Sequence, residues 1–80
     1  MPKPAFAVGR DWRKRSSKSY PTISRRVWYD PSTGYEYEPE LNPLKRTWHE
    51  IDPMRRMYRD IDPVTGNPVS GGEGQWRSLR

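Results

Sequence analysis

From residue 23 onward, β-branched and aromatic residues gather in short runs that break at Asx-Pro steps. Residues 23–29 (Ile-Ser-Arg-Arg-Val-Trp-Tyr) form one such run, and Tyr35-Glu36-Tyr37-Glu38 alternates apolar and acidic positions with period two. Both are strand signals. Between them stands Asp30-Pro31-Ser32-Thr33-Gly34. In this order Asp bonds the backbone two residues on, Pro presets φ for the first turn position, and Gly takes the left-handed conformation from which the strand resumes. A type I turn with a one-residue bulge, joining two antiparallel strands, is the expected result.

The same grammar returns at Asp62-Pro63-Val64-Thr65-Gly66, and shorter forms stand at Asn42-Pro43 and Asp52-Pro53. Strands are therefore predicted at 23–29, 35–39, 44–51, 56–61 and 67–70. No segment holds ten residues of 3.6-residue periodicity, so helix is minor. The fold class expected is mainly β: a small antiparallel β-meander of hairpins with an extended basic N-terminal arm and an irregular C-terminal tail. Its divisions are an arm at 1–22, a body at 23–70, and a Gly-rich link and tail at 71–80. Val27, Tyr29, Tyr35, Tyr37, Leu44, Trp48, Ile51, Met57 and Ile61 are the candidate core. Trp28 and Tyr58 are expected on the opposite face, as a platform on which single-stranded bases could stack.

Composition explains why the arm is set apart. The chain has 80 residues, of which 31% are hydrophobic and 31% charged, too little apolar material to offset the entropy of ordering every residue. With no cysteine there is neither a disulfide nor a thiolate metal site, which fits a reducing compartment. No run approaches a membrane span or a signal-peptide core. An intracellular (cytoplasmic) or virion location is expected, with no membrane partner.

Charge sharpens the division. Residues 1–26 carry eight Lys or Arg against Asp11 alone, whereas residues 27–80 carry seven against nine acids. The net +5 of the chain thus belongs to the arm. A block of like charge rich in Pro and Ser resists folding and suits phosphate backbones, whose neutralisation releases counterions. The expected nucleic-acid-binding residues are Lys3, Arg10, Arg13, Lys14, Arg15, Lys18, Arg25 and Arg26, with Trp12 and Tyr20 stacking on exposed bases.

Few residues invite catalysis. His49 is the sole histidine, so no His-pair metal site can form. On a strand, Glu50 and Asp52 share one face while His49 points to the other. Asp60-Ile61-Asp62 with Thr65 and Gly66 lacks the late glutamate of a calcium loop, and turn chemistry already explains Asp62 and Gly66. No cofactor and no metal are expected.

Asp62-Pro63-Val64-Thr65-Gly66-Asn67, followed by a Gly-containing basic tail, resembles the closing hairpin of the ribosome-cutting colicin ribonuclease domains over about residues 56–77. That resemblance implies a basic, twisted antiparallel sheet that cleaves ribosomal RNA with clustered Asp, His and Glu and an arginine near the end. Matching residues 28–34 to the family's catalytic hairpin puts Asp30 on the acid, but Thr33 on the histidine and Tyr37 on the glutamate. Arg77 stands for the late arginine, and His49 with Glu50 is the one base-and-acid pair that RNA cleavage could use.

The leading expectation is a non-enzymatic accessory protein that binds nucleic acid through its arm within a larger protein or ribonucleoprotein assembly, ribosome-like or virion-like. The alternatives are a colicin-type ribonuclease toxin using His49, Glu50 and Arg77, and a purely structural subunit draped over a protein assembly.

Overall fold

The computed structural model of the chain describes residues 3–17 and 26–79. Six strands form one open antiparallel sheet in simple sequence order: β1 Arg13–Ser16, β2 Arg26–Tyr29, β3 Glu36–Pro39, β4 Trp48–Asp52, β5 Met57–Ile61 and β6 Arg77–Ser78. The only helical elements among the described residues are 3-10 turns at Ala5–Ala7 and Gly72–Gly74. The mainly-β meander expected from the pattern is the fold observed.

The loops explain the order. In the first hairpin Gly34 N–H donates to Asp30 C=O at 2.7 Å, and Ser32 N–H to Asp30 Oδ1 at 3.0 Å. The second copy repeats both bonds: Gly66 N–H to Asp62 C=O at 2.7 Å and Val64 N–H to Asp62 Oδ1 at 2.7 Å. Gly34 and Gly66 sit at φ +82° and +79°. The shorter copies run the same way, with Leu44 N–H on Asn42 Oδ1 and Met54 N–H on Asp52 Oδ1. There the left-handed residue four positions after the Asx is an arginine, Arg46 at φ +53° and Arg56 at φ +54°. One Asx-Pro device therefore turns the chain four times.

Register divides the sheet into two chemically different faces, because cross-strand partners share a face. On one face lie Trp28, Tyr37, Trp48 and Ile61, and the N-terminal segment lies against it. Trp12 stacks on Tyr37 with ring centroids 4.1 Å apart and planes 18° from parallel, and Phe6 meets both rings edge-on. Ala7, Trp12, Tyr37 and Ile61 form the buried cluster, with Phe6, Trp28, Tyr35 and Trp48 packed around it. The other face carries Arg13, Tyr29, Glu36, Ile51, Tyr58 and Arg77 in one cross-strand row. Beside it, Glu38, His49 and Asp60 form a second row.

These contacts correct the division into arm, body and tail. Residues 3–17 are not an extended arm outside the body: they supply β1 and the aromatic cover of the core. Their cations had suggested solvation, but Phe6, Ala7 and Trp12 provide the apolar surface the sheet would otherwise lack. The tail is likewise ordered into β6, and Gly74 is buried. The expected fifth strand at 67–70 reduces to one bridge between Ile61 and Pro68. Of the expected core, Val27, Tyr37, Ile51 and Ile61 are buried. Tyr29, Tyr35, Trp48 and Met57 are half-buried. Leu44 is 90% exposed because its residue belongs to the Asn42-Pro43 turn rather than to a strand. Trp28 and Tyr58 lie on opposite faces, so they form no common stacking platform.

Candidate catalytic cluster on the charged face

His49, in the middle strand position between β3 and β5, is held from three sides. Its Nδ1 lies 3.3 Å from Glu38 Oε1, directly across on β3. Its Nε2 lies 2.6 Å from Glu40 Oε2 and 3.7 Å from Asp60 Oδ1. Glu40 follows the end of β3, where its N–H bonds Thr47 C=O and its other carboxylate oxygen accepts from Asn42 N–H at 3.2 Å. The β3–β4 turn thus aims Glu40 back at the imidazole. The Tyr58 ring meets His49 edge-on at 5.1 Å, and the Arg77 guanidinium lies over the same ring at 4.5 Å.

Asp60 ties this triad to a cationic rim. Arg77 Nη2 donates to Asp60 Oδ1 at 2.7 Å and Thr47 Oγ1 to Oδ2 at 3.2 Å. Lys45 Nζ stands 4.0 Å from Asp60 Oδ2 and pairs with Glu73 at 2.5 Å. Glu38 and Asp60 are buried, whereas Lys45, Arg77 and Glu73 reach solvent, their side chains 38%, 34% and 51% exposed.

The electrostatics follow from those distances. Burial of the imidazole opposes its charged form, but the hydrogen bonds to Glu38 and Glu40, reinforced by the charges of Glu40 and Asp60, outweigh it. His49 therefore titrates above its ordinary value, as an imidazolium donating from both nitrogens. Burial pushes Glu40 up, but Asn42 N–H and His49 more than compensate and hold its carboxyl below the usual range. A protonated acid and an ionised carboxylate thus stand 2.6 Å apart beside two cations. Glu40, His49 and Asp60 can also bring three ligand atoms within 4.8 Å of one another. Arg77 and Thr47 already take the oxygens of Asp60, however, and carboxylates face both nitrogens of His49, an arrangement that holds a proton.

Of the sequence-derived catalytic set, the structure brings His49 and Arg77 together through Asp60 and separates Glu50 from both. Glu50 lies on the aromatic face, accepting from Tyr37 Oη and Arg59 Nε at 2.8 Å each. Its nearness to His49 in sequence misleads, since adjacent strand residues point oppositely. Glu38, Glu40, Asp60, Lys45 and Thr47 were not anticipated. The register of β3 against β4 and of β4 against β5 would have revealed Glu38 and Asp60.

The proposed nucleic-acid ligands disperse. Trp12 is 4% exposed within the core and offers no face to a base. Arg15 pairs with Glu36 at 2.9 Å and lies over Tyr29 at 3.5 Å. Arg10 approaches Asp30 at 3.9 Å and Arg13 bonds Asp11 at 3.2 Å. Lys3 and Lys14 both lie over the Trp28 ring, and Arg26 is exposed. Lys18, Tyr20 and Arg25 lie outside the described residues. Much of the arm's charge is thus answered by the protein's own carboxylates and rings.

No protein-family model matches the chain, and neither the curated proteins nor the solved structures give a match. No helix among the described residues is long and apolar enough to cross a membrane.

Proposed function

We propose that the chain is a ribonuclease that cleaves RNA by proton transfer through His49 and Glu40. The observation that carries this reading is the imidazole clamped by Glu38 and Glu40 next to the Asp60–Arg77 pair and Lys45. Transesterification of RNA needs a base for the 2′-hydroxyl, an acid for the 5′-oxygen and positive charge for the phosphorane. Glu40 takes the 2′-proton, and the His49 imidazolium gives one to the leaving 5′-oxygen as the 2′-oxygen–phosphorus bond forms and the 5′ bond breaks. Arg77 and Lys45 face the phosphate. The short Glu40–His49 hydrogen bond then returns the proton to the imidazole. This agrees in class with the colicin-type resemblance of residues 56–77, with Glu40 in place of Glu50.

The test is incubation of purified protein with RNA, beside His49→Ala and Glu40→Gln. The expected result is cleavage with 2′,3′-cyclic phosphate ends, reduced at least about 100-fold in each variant. Cleavage that survives both substitutions points to a contaminating nuclease and sinks the proposal.

A second reading rests on the exposed Lys3, Arg10, Arg13 and Arg26: a non-enzymatic protein holding nucleic acid through its basic N-terminal segment and the adjoining β2 within a larger assembly. It expects salt-sensitive RNA binding with the RNA left whole. Either reading implies a site of action inside a cell or a virion.

A further inference from the structure

Beside the cluster opens a cleft of about 400 Å³, a volume suited to a small ligand. It is lined by Lys45, Arg46 and Thr47 from the β3–β4 turn and by Asp62, Pro63, Val64 and Val69 from the segment after β5. Two of these residues belong to both places. Thr47 Oγ1 donates to Asp60, and Lys45 Nζ stands 4.0 Å from the same carboxylate.

We infer that this cleft is a nucleotide subsite, taking the base of the residue next to the scissile phosphate. Lys45 and Arg46 offer cations to a phosphate and Pro63, Val64 and Val69 an apolar surface to a base, while the Asp62 carboxylate on the same cleft is engaged by Val64 N–H. A phosphate held at Lys45 faces the cluster, and its adjoining base then lies against Val64 and Val69, removing apolar surface from water. Arg46 is the second cation on the cleft. Its left-handed φ of +53° is tolerated at no cost only by glycine or, less well, by asparagine, so the turn holds an arginine against backbone preference.

The choice of a nucleotide rests on the ribonuclease reading, so the test reads binding separately from cleavage. The isotopically labelled full chain is titrated with nucleoside 5′-monophosphates and with inorganic phosphate, following the methyl groups of Thr47, Val64 and Val69 by NMR. The nucleotides should move all three methyls, and inorganic phosphate should leave Val64 and Val69 in place. Arg46→Gly, which relieves the backbone while removing the guanidinium, should weaken nucleotide binding about fivefold or more. Val64→Glu, at an exposed position, should abolish it. Nucleotide-dependent methyl shifts without RNA cleavage leave the cleft standing and remove the ribonuclease. His49-dependent cleavage with still Val64 and Val69 methyls, and with Val64→Glu as active as the native chain, overturns the cleft and leaves the ribonuclease intact.

Discussion

The ring of Phe6 occupies the space a β-carbon on Gly66 would need, its Cδ2 lying 2.8 Å from that position. The N-terminal segment is further pinned there by Phe6 N–H bonding Pro63 C=O at 3.1 Å. The second Asx-Pro turn is therefore both a hairpin and the seat of the core's cover. Gly34 has the same left-handed backbone but open space around its Cα. Gly34→Ala should cost about 1 kcal/mol of strain alone. Gly66→Ala should cost about 2 kcal/mol or more, because Phe6 must also move. Urea midpoints of the two variants give the comparison, and equal losses would show that Phe6 does not lean on the turn.

The buried Trp12–Tyr37 stack makes the N-terminal segment part of the folding unit. Truncating a buried tryptophan costs about 3–5 kcal/mol, against a total of about 4–12 kcal/mol expected for a domain of this size. Trp12→Ala should leave the chain marginally folded, and removal of residues 1–12 should unfold it. Near-ultraviolet circular dichroism reports both. A truncated chain that kept its native spectrum would return these residues to the status of a detachable arm.

Turns, strands and fold class were legible because their determinants are local. The Asx-Pro step and the left-handed glycine act within five residues, and Tyr35-Glu36-Tyr37-Glu38 announces its faces by alternation. The role of residues 3–17 was not legible, since Arg13-Lys14-Arg15-Ser16 has no intrinsic strand preference. Pairing with β2 makes it a strand, and its charges suit the edge it occupies, where cations discourage further pairing. The site was half legible: a lone histidine and a late arginine drew attention, but Glu38 and Asp60 meet His49 only through pairings across eleven residues. Counting register back from the Asn42-Pro43 turn would have found Glu38, and forward from the Asp52-Pro53 turn Asp60.

Arg56, like Arg46, holds φ above +50° where two sister turns place glycine. Its side chain is exposed, and its carbonyl accepts from Leu79 N–H, a backbone bond that any residue preserves. Arg56→Gly should therefore stabilise the fold by about 0.5–1 kcal/mol, the left-handed strain exceeding glycine's extra unfolded-state entropy. A rise of a few degrees in Tm is the expected signature. A fall would mean that the entropy outweighs the strain at this turn.

Finally, the His49 clamp gives stability a pH dependence of definite sign. Below the ordinary histidine value near 6.5 the imidazole is protonated in both folded and unfolded chains, so its stabilisation is fully present. As pH rises through the higher folded-state value the imidazolium is lost and that stabilisation with it. Glu40 acts oppositely: its carboxyl is held below the usual 4.5, so its contribution is complete above that value and fades as pH falls through the depressed one. The network is thus strongest between about pH 5 and pH 6.5. Urea midpoints should fall between pH 6 and pH 9 for the native chain. In His49→Gln, whose amide cannot carry the charge, they should be lower at pH 6 and vary little. The same proton is the one donated to the leaving oxygen, so cleavage should decline as pH rises through the folded-state value, above the point where stability begins to fall. An undiminished alkaline slope in His49→Gln would assign the titration to another group and separate the fold's pH response from the cluster.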